Sequence, residues 1–277
     1  FTLSKLKELQ ELINAMPLLP KFVQDIKNAF SKILGAEIGT VGVFLRSDTN
    51  MEDLKDFTGA GLNLTLFNVL KEEEIFKGIK QVWASPFSER SYKWRQRILE
   101  NPENVYPSIV IIPSVDVDNS GVMITTGVSS GNPSDITIAF SRGPGGAVEG
   151  QAAETYSINS SGRSILLSPS RESKYNLLPE TGGTGKAYAS FNNSILSSEQ
   201  ISQLFNFSKE LKNKLPGSPG VESDGPFDVE LGFKGTKLWL FQVRPFVESK
   251  KAVSSEYLNS MDPQISNDKI INLNDKL

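Results

Sequence analysis

Four residues near the end of the chain have the types and spacing to handle a metal-bound phosphate: Asp228, Glu230, Gln242 and Arg244. They lie in two alternating runs, Phe227-Asp228-Val229-Glu230-Leu231-Gly232-Phe233 and Lys237-Leu238-Trp239-Leu240-Phe241-Gln242-Val243-Arg244-Pro245, joined by Lys234-Gly235-Thr236. Period-two alternation on both sides of a glycine-containing break predicts a β-hairpin. Asp228 and Glu230 then share one face of the first strand, and Leu240, Gln242 and Arg244 share one face of the second. A three-residue loop sets Glu230 opposite Leu240 and Asp228 opposite Gln242, so that Glu230 and Gln242 are diagonal neighbours on one face. A two-residue loop puts them on opposite faces. A shared ion therefore predicts the three-residue loop. A carboxylate and an amide oxygen suit magnesium, and a guanidinium suits phosphate oxygens. The competing reading is a solvated hairpin face with incidental polar residues.

A second candidate is Arg46, at the end of the apolar run Val41-Gly42-Val43-Phe44-Leu45. The amides and hydroxyls of Ser47, Asp48, Thr49 and Asn50 could cradle phosphate while Arg46 neutralises it. Gly59 and Gly61 would allow close backbone approach. An ordinary capped turn, started by Asp48 or Thr49 and running through Glu52 and Asp53, is the alternative. Gly182-Gly183-Thr184-Gly185-Lys186 lacks the spacer and trailing hydroxyl of a phosphate loop and reads as a surface loop. Lys93, Arg95 and Arg97, beside Tyr92 and Trp94, read as a solvated helix face rather than an RNA patch.

Composition removes whole classes of chemistry. With no cysteine there is no disulfide and no thiolate site, and with no histidine there is no Ser-His-Asp triad, no His-ligated zinc and no phosphohistidine. Acid, base and metal work falls to Asp, Glu, Lys, Arg and amides. A formal net charge of −3, from 29 basic and 32 acidic residues, offers no basic excess for nucleic acid. No apolar run is long enough for a membrane span, and the first residues lack the order of a signal peptide. A cytoplasmic setting is expected. Phe1 is not a natural start, which points to a piece of a longer polypeptide.

These residues need a scaffold. Leu3, Leu6, Leu9, Leu12 and Ile13, and after Pro17 and Pro20 a second stripe of Phe22, Val23, Ile26, Phe30, Ile33 and Leu34, predict core-facing amphipathic helices over 1–35, stopped at Gly35. Strands are expected at 41–45 and 62–69, and helices at 71–84 and 86–99. Residues 106–115 and 121–126 read as a strand pair across Asp116–Ser120, and 136–140 as a further strand before Gly143-Pro144-Gly145-Gly146. Residues 157–190 read as loop and short edge strands. Ser197 followed by Gln200 is a capping box that opens a helix. Residues 216–226 form a linker and the segment after Lys251 a polar tail.

Taken in order from about residue 41 to 246, these segments resemble a known family. Val43-Phe44-Leu45-Arg46-Ser47-Asp48-Thr49-Asn50-Met51-Glu52-Asp53-Leu54, with Gly59-Ala60-Gly61 and Asn68-Val69, is similar to the signature loop of the phosphoenolpyruvate synthases and pyruvate phosphate dikinases. The same loop resembles that of the α-glucan, water dikinases. Val82-Trp83-Ala84-Ser85 with Phe87, Glu89 and Arg90, then Ser120-Gly121-Val122-Met123-Ile124-Thr125, Gly143-Pro144-Gly145-Gly146-Ala147-Val148, Phe227-Asp228-Val229-Glu230 and Phe241-Gln242-Val243-Arg244-Pro245 match later family segments.

The resemblance implies an α+β fold: the carboxy-terminal part of an ATP-grasp domain over 41–250, mainly antiparallel sheet with packed helices, preceded by a helical segment over 1–40 and followed by a polar tail over 251–277. It implies transfer of phosphate from Mg-ATP, with Glu230 and Gln242 on magnesium, Arg46 and Arg244 as catalytic phosphate-holding residues, and Ser47, Ile112 and Ser114 at the nucleotide. Ile112 and Ser114 stand where the family has a glutamine and a methionine that contact adenine, and Gly146 stands where it has a glutamate. The family's amino-terminal lobe and its phosphohistidine domain do not appear, so both are expected partners from the same polypeptide. A non-catalytic binding or scaffold module, or part of a glucan dikinase, are the alternatives.

Overall fold

Alternating apolar runs cannot bury one face alone, so they must stack into sheets and recruit helices to cover them. In the computed structural model, which describes residues 2–52, 61–146, 152–219, 221 and 223–247, they do so as two larger antiparallel sheets and a separate two-stranded hairpin within one compact unit, Phe1–Phe246. A second unit, Val247–Leu277, lies almost wholly outside the described residues, as do the expected polar tail and the motif residues Asp53, Leu54, Gly59, Ala60, Ala147 and Val148. The mixed helix and antiparallel-sheet composition agrees with the α+β class.

The amino-terminal helices are α1 (Thr2–Ala15) and α2 (Pro20–Ala29), the latter prolonged by a π-helical turn at Phe30–Leu34. Gly35 ends this run in the left-handed region at φ 65°, as the stop signal predicts. The second apolar stripe packs in part as expected: Phe30 is buried, and Phe22, Ile26 and Leu34 close around it, whereas Ile33 is exposed. The first does not. Nothing on α1 is buried, and Leu12 is 61% exposed. The core-facing reading of the first stripe is corrected here: α1 lies at the surface against residues 72–87, with Gln10 Nε2 donating to the Ala84 carbonyl at 3.2 Å.

The first sheet has three strands, β1 (Val43–Ser47), β2 (Thr65–Val69) and β3 (Ile109–Pro113), in the order β2-β1-β3. Between β2 and β3 run α3 (Glu72–Ala84) and α4 (Glu89–Ile98), linked by a 3-10 turn at Ser85–Phe87. One face of the sheet, Val43 and Leu45, is buried against Ile75, Ile79 and Val82 of α3. The other carries Phe44, Arg46, Thr65, Phe67 and Ile112. Arg95 is only 5% exposed and donates to the Pro86 and Pro102 carbonyls, so it ties helix to loop instead of facing solvent as the sequence led us to expect.

The second sheet has six strands. In chain order these are β4 (Asn119–Ile124), β5 (Ile136–Arg142), β6 (Glu154–Ile158) and β7 (Ser164–Ser168), and, after the β8–β9 hairpin (Lys174–Leu177, Gly185–Tyr188), β10 (Phe227–Lys234) and β11 (Lys237–Pro245). Their spatial order is β11-β10-β4-β5-β6-β7. The expected pairing of 106–115 with 121–126 does not occur. β3 pairs with β1, β4 pairs with β5 and β10, and Ser114–Asp118 carries the chain from one sheet to the other. Alternation reports that a strand has a buried face, not which strand lies beside it.

Helix α5 (Ser198–Lys214) covers the six-stranded sheet. Its capping box is formed in both directions, with Ser197 Oγ accepting from the Gln200 amide at 3.1 Å and Gln200 Oε1 accepting from the Ser197 amide at 3.0 Å. Leu204 and Leu211 meet Met123, Ile138, Phe140, Val229 and Phe233 in the main core. The approach to α5 is fixed by Glu154, a buried carboxylate that accepts from the Ile195 and Leu196 amides and from Tyr156 Oη at 3.0 Å. Burial, and then the bond to Glu154 and its charge, push the Tyr156 hydroxyl up to about 12. A tyrosine in the unfolded chain ionises near pH 10. The stabilisation from a raised pKa is complete below pH 10 and is lost as pH rises towards about 12. Tyr156→Phe is therefore expected to flatten the fall in Tm across that alkaline window, as read by thermal melts at stepped pH. An unchanged profile would remove Tyr156 as its source.

Candidate functional site

A cavity of about 430 Å³ opens between the two sheets. The three-stranded sheet supplies Phe44, Arg46, Phe67 and Ile112, and Phe44 and Phe67 stack edge-to-face with centroids 5.5 Å apart. The crossing segment supplies Val115 and Val117, the glycine-rich turn supplies Pro144 and Gly145, and the hairpin supplies Glu230, Gln242 and Arg244. The lining thus combines apolar side chains with charged and polar ones, Glu52 and Asn63 among them. Such a combination suits a ligand with a flat apolar body and an anionic tail.

The charged part of the lining is assembled by a route different from the one the sequence predicts. The hairpin closes through a two-residue turn, Gly235-Thr236, with Lys234 opposite Lys237, Gly232 opposite Trp239 and Leu231 opposite Leu240. Continued, that register would place Glu230 and Gln242 on opposite faces. It does not continue. A β-bulge at Phe241 inserts one extra residue into β11, and beyond it Glu230 stands directly opposite Gln242 and Asp228 opposite Arg244. The three-residue loop is therefore corrected to a two-residue loop plus a bulge, and the two oxygen donors meet face to face rather than diagonally.

Arg46 reaches this pair from the other sheet. Its Nη1 lies 3.1 Å from Glu230 Oε2 and its Nη2 lies 3.5 Å from Glu230 Oε1, and Nη2 also donates to Gln242 Oε1. Arg244 is gripped by Asp228, with Nε and Nη2 at 2.9 and 2.8 Å from Oδ2, and its Nη2 lies 3.9 Å from Glu230 Oε1. Two guanidinium groups therefore converge on one carboxylate. Asp228 Oδ1 is buried and makes no hydrogen bond among the described residues.

The glycine-rich turn is held by Ser120, whose Oγ donates to the Gly143 carbonyl at 2.7 Å and accepts from the Gly145 amide at 3.0 Å. Gly143 has φ 67°, and a Cβ there would collide with the Asn176 carbonyl, so glycine is required. A second clasp ties the three-stranded sheet to the loop of the β8–β9 hairpin. Asn68 sits in a bulge of β2 at φ 52° and donates through Nδ2 to the Pro179 and Gly183 carbonyls at 2.8 and 2.9 Å, while its own carbonyl accepts from the Gly183 amide. This clasp gives the Gly182-Gly183 turn its role, and only the left-handed tolerance of asparagine hints at it in the sequence.

Of the candidate residues, Arg46, Ser47, Ile112, Glu230, Gln242 and Arg244 all line the cavity. Ser114 does not. It lies just past the end of β3, and its Oγ is buried without a hydrogen bond among the described residues. Asp48 is exposed and bound to Ser108, so it faces away from the cavity. The turn after Ser47 is closed by Thr49, whose Oγ1 accepts from the Met51 amide at 3.3 Å. Phe44, Phe67, Val115 and Val117 were not singled out from the sequence, because an apolar residue on a cavity wall has the same pattern as one in a core.

Among the described residues no group of three or more His, Cys, Asp or Glu side chains converges on a metal position. Glu230 and Gln242 nonetheless fit magnesium. Their donors are oxygens, they already converge on a cation, and magnesium commonly takes one or two protein oxygens with phosphates and waters completing its shell. No described helix is long and apolar enough to cross a membrane.

A family model described as pyruvate phosphate dikinase, AMP/ATP-binding domain, matches residues 3–263. The probable phosphoenolpyruvate synthase of Archaeoglobus fulgidus is 28% identical over 249 residues, which cover 88% of this chain and 32% of the relative. The phosphoenolpyruvate synthase of Pyrococcus furiosus is 25% identical over 262 residues, 90% of this chain and 31% of the relative. An uncharacterized phosphotransferase of Bacillus subtilis is 26% identical over 224 residues, 77% of this chain and 26% of the relative. The chain thus spans about a third or less of the length of these relatives.

Proposed function

Because the chain belongs to the pyruvate phosphate dikinase AMP/ATP-binding domain family, we propose that the cavity between its sheets binds Mg-ATP for phosphoryl transfer. The observation that carries this reading is the convergence of Arg46, Glu230, Gln242 and Arg244 in a cavity that is also lined by Phe44, Phe67, Ile112, Val115 and Val117. Phe44, Phe67, Ile112, Val115 and Val117 would pack on the base. Glu230 and Gln242 would hold magnesium, which would supply positive charge to offset that of the phosphates. Arg244, kept rigid by Asp228, would hold the phosphates from the hairpin side, and Arg46 from the other sheet. Ser47 and Gly145 line the same cavity.

The chain has no histidine, so a phosphohistidine acceptor would have to lie on another domain or protein. We infer the order of a dikinase: Mg-ATP held here, the phosphoryl group passed to that acceptor, and a final substrate met elsewhere. A cytoplasmic location accords with this chemistry. A second reading, a nucleotide-binding module that no longer transfers phosphate, draws on Ile112, Ser114 and Gly146, which depart from the family pattern described above.

Calorimetric titration with Mg-ATP tests the first reading, made on the whole polypeptide that carries these residues. Saturable binding is expected, and Arg244→Ala should weaken it about 10- to 100-fold through loss of a charge-assisted bidentate contact. Binding with no transfer to any histidine would favour the module. No binding at all would overturn the proposal.

A further inference from the structure

The fold supplies a cation of its own beside the oxygens proposed for the metal: the Arg46 guanidinium. It spans both Glu230 oxygens and Gln242 Oε1, the same oxygens offered to magnesium. Building on the Mg-ATP reading, we propose that Arg46 is a resident counter-ion that is exchanged for the metal and does not share the site with it.

The argument is one of space and charge. Magnesium needs its oxygens at about 2.0–2.1 Å, and it dehydrates reluctantly. Arg46 nitrogens lie 3.1 and 3.5 Å from the two Glu230 oxygens, so a metal on Glu230 would face a second cation across the same carboxylate. Arg244 adds positive charge, with Nη2 3.9 Å from Glu230 Oε1, and it is held there by Asp228. Without a polyanion the site is therefore closed to a divalent ion. A triphosphate changes the balance. It offers Arg46 an alternative anion and brings the metal its missing oxygens, so Arg46 leaves the hairpin as magnesium arrives.

Geometry adds a mechanical consequence. Arg46 stands on β1 in the three-stranded sheet, and its partners stand on β10 and β11 in the six-stranded sheet. The ion pair is a latch between the sheets, and the exchange moves it from protein oxygens to ligand oxygens. The Asn68 clasp to Pro179 and Gly183 ties the three-stranded sheet to the β8–β9 hairpin and is not part of this exchange.

The test uses Mn2+ alone as the probe, followed by electron paramagnetic resonance without nucleotide, beside Mg-ATP calorimetry on the same proteins. Occupancy by Arg46 lowers apparent metal affinity by the fraction of molecules in which the oxygens are free. Arg46→Gln is expected to tighten Mn2+ binding about tenfold or more, and Arg46→Gln combined with Glu230→Gln to lose that gain. If Arg46→Gln leaves Mn2+ binding unchanged while the wild type binds Mg-ATP through Glu230, the exchange is wrong and the nucleotide site stands. If the wild type binds no Mg-ATP and Arg46→Gln gains no Mn2+ affinity, both readings fall. A measurement on the unmutated protein guards against a variant that does not fold. Nitrogen NMR of the Arg46 guanidinium should show hindered rotation in the free protein and a changed environment at saturating Mg-ATP. An unchanged signal would overturn the exchange.

Discussion

Glu230→Gln is expected to weaken Mg-ATP binding about 100-fold, while Asp48→Asn changes it by less than about threefold; about 100-fold corresponds to about 2.7 kcal/mol. The Glu230 side chain is only 13% exposed, and it is the carboxylate on which Arg46, Arg244 and Gln242 converge. An amide keeps the shape and one acceptor oxygen but removes the charge that a divalent cation needs. Asp48 is exposed and occupied by Ser108, so its charge is screened from the cavity. The comparison should be run with and without magnesium. In Glu230→Gln the dependence of ATP affinity on the metal should disappear, whereas metal-free ATP binding should hold or rise as Arg46 becomes available. Equal losses in the two variants would remove Glu230 as the metal ligand.

Phe140→Ala should cost about 3–5 kcal/mol of folding stability. Phe140 is fully buried, its ring lies 6.1 Å from that of Phe233, and it belongs to the core cluster that includes Leu204 of α5. It also stands opposite Gly121 on β4, and its ring fills the space that a Cβ at Gly121 would need. The cavity wall at Gly121 is therefore backed directly by the core. Urea unfolding should show a lower midpoint with the slope preserved. Leu166→Ala, on a strand where Leu166 is 49% exposed, should stay within about 0.5 kcal/mol. A Phe140→Ala cost near that of Leu166→Ala would mean that the sheet–helix core is not where the stability resides.

Strands and helices were legible to the degree that their signals are local. The capping box at Ser197 and Gln200 and the Gly35 stop each depend on residues a few positions apart, and each is realised. Pairing was not legible where it is long-range. Residues 106–115 and 121–126 look like neighbours because they are adjacent in sequence, yet β3 and β4 belong to different sheets. The hairpin shows the same division. Its face pattern singled out Glu230, Gln242 and Arg244, but Phe241 has no feature that marks it as a bulge, so Glu230 and Gln242 meet through a two-residue turn and a bulge and not through the expected three-residue loop. A bulge is a response to packing on both sides of a strand, and single-strand alternation does not contain it. Arg46 was recognisable as a candidate, but its ion pair with Glu230 spans 184 positions and required the fold.

The pairing of β4 with β10 sets a constraint on synthesis. Residues 119–124 must wait for residues 227–234 before that sheet edge is covered, and the hairpin that covers it also carries Glu230, Gln242 and Arg244. A nascent chain that has passed Ile124 presents an open strand edge until the hairpin emerges, a period in which chaperone contact or aggregation competes with folding. The same order means that a product ending short of Phe227 carries Arg46 but none of Glu230, Gln242 and Arg244. If the proposed site is right, ligand competence arrives with β10 and β11, in the same event that covers the β4 edge.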